Sequence, residues 1–259
     1  MKALITGASS GLGWDMAHIL SEKGYDIIAV ARRAERLEAL KSELKTEVEV
    51  ICADITDMEQ CKALAEKADE VDILINCAGF GVFGDLCSTD LERELQMIDT
   101  NIKALHTLTK QFAIKFKKRD SGHILNVASL ASFFPGPLFS AYYASKSYVL
   151  RLSQGLAQEL KKEKSKVKIS VLCPGPVHTE FGDVANVSFG RGTENRLVKK
   201  IILPSRKVSE YAIKKMFRGK EVIIPGVIMR IAAFLRRIVP DKMLASVVYL
   251  IQSKKCIKK

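Results

Sequence analysis

Residues 2–13 read Lys-Ala-Leu-Ile-Thr-Gly-Ala-Ser-Ser-Gly-Leu-Gly, an apolar run that breaks into a glycine-rich turn. A helical-looking stretch from Trp14 to Lys23 follows, and Gly24 ends it. The order strand, glycine turn, helix is typical of a phosphate-binding element, because the turn lets the backbone approach a phosphate and the helix N-terminus offers free N–H groups. The glycine spacing differs from the common G-x-G-x-x-G form, so a turn without a ligand remains an alternative.

The rest of the chain alternates between strands and helices. Further apolar strands are predicted at 26–30, 48–51, 72–75, 123–127, 168–172 and 221–224, and helices at 35–44, 57–68, 90–118, 141–164 and 209–217. Strands rich in Val, Ile and Leu that are separated by helices indicate a parallel sheet covered on both faces. We therefore predict an α/β fold with a doubly wound parallel sheet and a ligand beyond the carboxyl ends of the strands.

A tyrosine and a lysine stand four residues apart, with Ser129 thirteen residues before the tyrosine. At this spacing Tyr142 and Lys146 lie on one face of a helix. The reference pKa of a phenol is about 10, and a neighbouring ammonium favours the phenolate and lowers that pKa toward neutral pH. Tyr143 lacks this relation, because Ser147 follows it by four residues. Taken alone, the pair is also consistent with a chance helical face.

These elements belong to a longer ordered series. It comprises Thr6-Gly7-x-x-x-Gly11-x-Gly13, Asn76–Cys77–Ala78–Gly79, Asn101, Ser129, Tyr142-x-x-x-Lys146 and Pro174–Gly175. In this order the chain resembles the short-chain dehydrogenase/reductase family, and looks like an NADP-type, bacterial member. The resemblance covers residues 1–180 closely and the rest loosely. It implies a Rossmann-type domain over residues 1–259 with about seven strands in the order 3-2-1-4-5-6-7.

The resemblance also implies roles for four residues. Tyr142 would be the general acid in reduction and the base in oxidation, and Lys146 would lower its pKa and hold the nicotinamide ribose. Ser129 would bind the substrate oxygen, on which negative charge develops during hydride transfer. Asn101 matches the residue that kinks the long helix around a water linking Lys146 to solvent. Otherwise Ser129 is a cap serine, and Asn101 is a poor helix former.

Cofactor choice rests on the end of the second strand. Residues 29–33 contain no carboxylate to hold a ribose 2′-hydroxyl, and Arg32 and Arg33 suit a 2′-phosphate instead. In relatives with this pattern the first arginine makes the phosphate contact, so we expect NADP(H) in preference to NAD(H). The alternative is that both arginines begin a solvated helix.

Further cofactor contacts are carried over from the resemblance. They are Gly7, Ser9, Ser10, Gly11, Leu12, Gly13, Asp54, Ile55, Asn76, Ala78, Gly79, Tyr142, Lys146, Pro174, Gly175, Val177 and Thr179. Asp54 is alternatively a helix N-cap, and a second role expected for Asn76 is to brace the sheet. Cys77 stands where the family usually has a second asparagine.

Composition is consistent with this assignment. A chain of 259 residues with 47% hydrophobic content can bury one large α/β core. Its six cysteines lack metal-ligand spacing, so we expect reduced thiols and no metal site. The strand-like start at residue 2 predicts no signal peptide and a cytoplasmic location.

The basic charge lies at the end of the chain. From Arg191 onward there are 18 Lys and Arg residues against 4 Asp and Glu residues, a formal charge of +14, whereas the whole chain carries +12. We predict a substrate-loop and helical region at 180–219 and a basic amphipathic extension at 226–259. Three interpretations stay open for this extension: a packed helix with a solvated basic face, peripheral contact with an anionic membrane, or attraction of an anionic substrate or nonspecific contact with nucleic acid. Specific nucleic-acid binding is not expected, since no binding motif accompanies the charge.

Two functions follow. The first is NADPH-linked reduction of a ketone, or oxidation of a secondary alcohol, with a hydrophobic substrate such as a steroid or fatty acyl carbonyl. The second is a catalytically silent NADP(H)-binding regulator or scaffold that uses its basic C-terminus for a membrane or partner. Relatives often form homodimers or homotetramers through the helices that correspond to 90–118 and 141–164, and we expect the same.

Overall fold

Seven parallel strands form one sheet in a computed structural model that describes residues 1–185, 187–189 and 202–257. They are β1 Lys2–Thr6, β2 Asp26–Ala31, β3 Val48–Cys52, β4 Ile73–Asn76, β5 His123–Val127, β6 Lys168–Leu172 and β7 Val222–Ile223. Their order across the sheet is β7-β6-β5-β4-β1-β2-β3, which confirms the predicted order.

Helices cover both faces of this sheet. They are α1 Gly11–Ser21, α2 Ala34–Glu43, α3 Met58–Glu66, α4 Leu91–Ile98, α5 Leu105–Lys118, α6 Ser140–Lys162, α7 Phe181–Val184, α8 Ser205–Phe217, α9 Val227–Leu235 and α10 Asp241–Gln252. Alternate strand residues face opposite sides: Ile5 packs with Met16 and Met216 of α1 and α8, whereas Leu4 packs with Phe112 of α5. The Rossmann-type, doubly wound arrangement is therefore confirmed.

The long helix predicted over 90–118 is confirmed over residues 91–118, but it is not α-helical throughout. A π-helical turn, Asp99–Ala104, separates α4 from α5. Such a turn inserts an extra residue into the helical hydrogen-bond ladder and frequently marks a functional site. It contains Asn101, where the family resemblance implies a kink.

A buried chain of polar side chains ties the carboxyl half of the sheet to two helices. Asn76 at the end of β4 donates from Nδ2 to Thr109 Oγ1 at 3.1 Å and to Asn126 Oδ1 at 2.9 Å. Asn126 in β5 donates to Ser153 Oγ at 3.0 Å. Asn76 thus braces the sheet, as the sequence suggested.

The predicted C-terminal regions are described in part. Residues 190–201, inside the 180–219 region, lie outside the described residues. Beyond β7, helices α9 and α10 occupy the 226–259 extension, and Lys255–Ile257 pairs antiparallel with Val187–Phe189. In the described part of the chain, no helix combines the length and apolar character needed to cross a bilayer.

The polar chain predicts a stability loss for Asn126→Ala. The substitution removes an acceptor of Asn76 and the donor to Ser153 in a dry interior, which costs about 1–3 kcal/mol of unfolding free energy. Urea denaturation measures the loss. Thr107→Ala is the control, because Thr107 is only partly buried and its hydroxyl bonds only to a backbone carbonyl. Equal losses in the two variants would contradict this assignment.

Candidate active site

The glycine turn after β1 is closely packed and suited to a phosphate. Gly7 and Gly11 have φ angles of +70° and +55°, a left-handed conformation that favours glycine. A Cβ atom at Gly13 would lie 2.3 Å from the Gly7 carbonyl oxygen. Ser10, the N-cap of α1, makes no side-chain cap hydrogen bond, so its side chain leaves the first N–H groups of the helix uncovered. These features fit the phosphates of a dinucleotide.

The two arginines after β2 have different surroundings. Arg33 donates from Nε and Nη2 to Ser9 Oγ at 3.2 and 3.1 Å, and its Nη1 pairs with Glu180 at 2.9 Å. The Arg32 side chain is 67% exposed and lies 3.7 Å from an Asp54 oxygen. Arg33 is therefore attached to the glycine turn, whereas Arg32 is exposed beside the loop that follows β3. Glu180 carries no motif signal and was not foreseen from the sequence.

Ser129 and Tyr142 meet beyond the carboxyl end of β5. The Ser129 hydroxyl accepts a hydrogen bond from the Ala131 amide at 3.1 Å and caps the short 3-10 turn Leu130–Phe133. The same hydroxyl is near enough to Tyr142 to oppose the rise in the pKa of that phenol. Ser129 therefore caps the 3-10 turn and also lies beside Tyr142.

The electrostatics of this pair differ from the prediction. Burial raises the pKa of Tyr142 above its ordinary value, and the nearby Ser129 hydroxyl opposes that rise. Lys146 donates from Nζ to the Val127 carbonyl at 3.0 Å and lies 5.9 Å from the Tyr142 ring centroid. Burial lowers the pKa of Lys146 to about 8. The predicted lowering of the Tyr142 pKa is therefore wrong for the protein alone, because desolvation of the phenol dominates.

Asn101 joins the π turn to the site. Its Nδ2 donates to the Phe80 carbonyl at 2.8 Å and to Ser145 Oγ at 3.1 Å, and its Oδ1 accepts from the Phe80 amide at 3.1 Å. A Cβ atom at Gly79 would lie 2.7 Å from Asn101 Oδ1 and 3.1 Å from Lys146 Nζ. The structure thus brings Gly79, Asn101 and Lys146 together.

The remaining residues predicted at the cofactor line the same edge. Thr6 Oγ1 accepts hydrogen bonds from the amides of Cys77 and Ala78, which ties the loop after β4 to β1. Thr179 lies next to Gly11, since a Cβ atom on Gly11 would be 3.0 Å from the methyl group of Thr179. Asp54 accepts from the Thr56 amide and hydroxyl at 3.0 and 2.8 Å.

One alternative from the sequence is resolved at this edge, and two further predicted segments are located there. Asp57, not Asp54, is the N-cap of α3. The loop after β6 brings Pro174 and Gly175 to this edge, where the Pro174 carbonyl accepts from the Leu130 amide at 2.8 Å. Ile55 is buried in the cluster on the α5 side of the sheet.

Aromatic side chains from distant segments surround Tyr142, and no motif indicated them. Phe139 stacks on the Tyr142 ring at a centroid distance of 4.5 Å, and the Phe181 ring lies at 5.3 Å. Gln252, at the end of α10, donates to the Tyr143 hydroxyl at 2.8 Å. The C-terminal extension therefore reaches the immediate neighbour of Tyr142.

Comparison with known proteins was made against family models, curated sequences and solved structures. A family model described as short chain dehydrogenase matches residues 1–187. A dehydrogenase/reductase SDR family protein 7-like from Drosophila melanogaster is 31% identical over 98% of this chain and 80% of the relative. A probable NADP-dependent dehydrogenase from Haemophilus influenzae is 34% identical over 76% of this chain and 78% of the relative. A short-chain dehydrogenase from Sphingobium yanoikuyae in complex with NADPH is 30% identical with a TM-score of 0.79, over 90% of this chain and 91% of that chain.

Burial of Lys146 predicts a pH dependence of stability in the cofactor-free protein. Folding lowers its pKa from 10.5 to about 8, so the unfolded chain binds more protons between these values and the unfolding free energy rises with pH. Below about pH 8 the lysine is charged in the folded and the unfolded state, and burial of the charged ammonium destabilises the folded state to its full extent. Relative to Lys146→Met, the wild type should gain about 2–3 kcal/mol between about pH 8 and pH 10. Urea denaturation measures this difference. Lys23→Met at an exposed position is the control. If the difference in unfolding free energy between the wild type and Lys146→Met does not change with pH, the prediction is contradicted.

Proposed function

The chain belongs to the short-chain dehydrogenase/reductase family of NAD(P)-dependent oxidoreductases, and we propose that it catalyses NADPH-linked reduction of a ketone or the reverse oxidation of a secondary alcohol. One observation carries the proposal: Tyr142 is buried near Ser129, one helical turn from the buried Lys146. In a dry site such preorganised donors stabilise a developing alkoxide more strongly than water does.

Each side chain has a task in this mechanism. NADPH held at the glycine turn would supply the hydride. Ser129 and Tyr142 hold the substrate oxygen, and Tyr142 transfers its proton to that oxygen as charge develops. Because burial raises its pKa, Tyr142 is protonated at neutral pH and is a donor in the direction of reduction. Lys146 would hold the ribose hydroxyls, and Asn101 is a positioning residue that acts through Ser145.

NADPH in preference to NADH is supported by the charges beside the glycine turn. Arg33 contacts Ser9 in that turn, Arg32 lies beside it, and no carboxylate follows β2 in the position that a ribose 2′-hydroxyl would need. Glu180 now pairs with Arg33 and would compete with a 2′-phosphate for the guanidinium. The Sphingobium yanoikuyae relative binds NADPH.

The substrate that we propose is a hydrophobic carbonyl compound such as a steroid or fatty acyl ketone. Its support is the apolar lining of the site, which includes Phe139, Phe181 and Met229. Because the structure places five cysteines as free thiols among its described residues, we also propose a cytoplasmic location.

We further propose a homodimer or homotetramer. A surface groove runs between α5 and α6, and its lining includes Ala113, Ile114, Leu152, Gly155 and Leu156. Small and apolar residues on two neighbouring helices allow the same helices of a second copy to approach closely.

Replacing the phenol tests the chemistry. Tyr142→Phe should lower kcat for ketone reduction by about 100-fold or more, because the proton donor is lost, while the Kd for NADPH stays nearly constant. Tyr143→Phe is the matched control and should retain most of the activity. NADPH oxidation against a panel of ketones measures both variants. Tight NADPH binding by the wild type without turnover of any carbonyl would favour the silent regulator instead.

Removing the two guanidiniums tests the cofactor preference. Arg32→Ala combined with Arg33→Ala should weaken NADPH binding by about 2–3 kcal/mol, because charge-assisted hydrogen bonds to the 2′-phosphate are lost. NADH binding should change little. Fluorescence titration with both cofactors measures the two Kd values, with Lys41→Ala on the exposed face of α2 as the control. Equal weakening of NADPH and NADH would overturn the 2′-phosphate assignment.

A further inference from the structure

The last two helices expose an unusual number of large apolar side chains. On α9 and the turn after it they are Val227, Ile228, Ile231, Phe234, Leu235 and Ile238, which are 45–68% exposed. On α10 they are Met243, Val247, Leu250 and Ile251, which are 53–61% exposed. The spacing of three and four residues places each set on one face of its helix. Single exposed apolar residues are ordinary, whereas grouped ones mark interaction surfaces.

These exposed faces are not what attaches the helices to the protein. The opposite side of α9 carries the buried Met229 and Ala233, and Met229 packs against Gly175. On α10 the buried residues are Gln252, which lies away from the exposed face and is bonded to Tyr143, and Leu244, which borders that face. Each helix is therefore already packed on one side and presents a second apolar side to the surroundings.

Cationic side chains flank the exposed apolar faces. They are Arg230, Arg236, Arg237, Lys242 and Lys254, all exposed, and Asp241 is the only acidic residue between 227 and 257. Within the described residues none of these five forms an ion pair, in contrast to Arg33 and Arg206 elsewhere in the fold. An apolar face bordered by unpaired cations is complementary to a surface that has anionic groups above a hydrocarbon layer.

We propose that α9 and α10 form a docking surface for an anionic lipid bilayer. The apolar side chains insert at the boundary between headgroups and acyl chains, and the five cations contact lipid phosphates. Binding is peripheral, in the manner of interfacial amphipathic helices. Nucleic acid would use the cations and leave the apolar faces exposed, which makes it the poorer match. The proposal is independent of the oxidoreductase reaction, because binding is measured without turnover.

Cosedimentation of the full chain with lipid vesicles tests the proposal. Vesicles of phosphatidylcholine alone are compared with vesicles that also contain phosphatidylglycerol. We expect binding to the anionic vesicles, weakened by salt. The combined variant Arg230→Gln, Arg236→Gln and Arg237→Gln should lower the partition coefficient by about 100-fold and reduce its salt dependence.

A second variant tests the apolar contribution. Ile231→Glu combined with Phe234→Glu should weaken binding by at least about tenfold, since two buried contacts with lipid are lost. The matched control is Leu86→Glu combined with Leu91→Glu, which changes two apolar residues of similar exposure elsewhere, 56% and 64%, and should bind like the wild type. Circular dichroism and NADPH binding establish that each variant is folded.

Three outcomes would overturn the proposal. The wild type fails to bind anionic vesicles; or the Ile231 and Phe234 variant binds as well as the wild type; or the control pair loses binding equally. If the wild type does not bind vesicles and the Ile231 and Phe234 variant forms a smaller oligomer in solution than the wild type does, the surface is a contact between copies of this chain. Loss of ketone reduction with normal vesicle binding would instead overturn only the proposed function.

Discussion

Close approach of backbone segments at the carboxyl edge of the sheet is the constraint on which the site depends. A Cβ atom at Gly7 would lie 2.8 Å from the Ala78 backbone, so the turn after β1 and the loop after β4 can touch only because no side chain separates them. The Thr6 hydroxyl holds the same two segments together through the Cys77 and Ala78 amides. This contact sets the glycine turn beside the loop that leads to Gly79, and Gly79 in turn adjoins Asn101 and Lys146.

Burial then determines the chemistry of the groups gathered there. Tyr142 and Lys146 are almost inaccessible to solvent, and loss of hydration disfavours the charged form of each. The pKa of the phenol therefore rises and that of the ammonium falls. The Ser129 hydroxyl opposes the rise for Tyr142, and the hydrogen bond from Lys146 to the Val127 carbonyl fixes the position of the ammonium. The result is a protonated tyrosine held where a substrate oxygen would meet it.

The C-terminal helices link this interior to the outside of the molecule. Their inner sides contact the site through Met229 on Gly175 and Gln252 on Tyr143. Their outer sides carry apolar residues and unpaired cations within the described part of the chain. The same two helices thus contribute to the apolar wall beside Tyr142 and to the surface that we assign to lipid. Substitutions on the inner helix faces therefore test the site, and substitutions on the outer faces test lipid binding.

The sequence by itself determined the sheet, its helices and the positions of Ser129, Tyr142 and Lys146. Apolar runs and local spacing specify a strand or helix within a few residues, and the strand order follows from the family resemblance. What only the tertiary structure decided involves partners far apart in the chain. Asn101 meets Phe80 through a π turn, Arg33 meets Glu180, and Gln252 meets Tyr143. The direction of the Tyr142 pKa shift was also decided by the tertiary structure. It depends on desolvation by side chains that are distant in the sequence, and no local spacing encodes that environment.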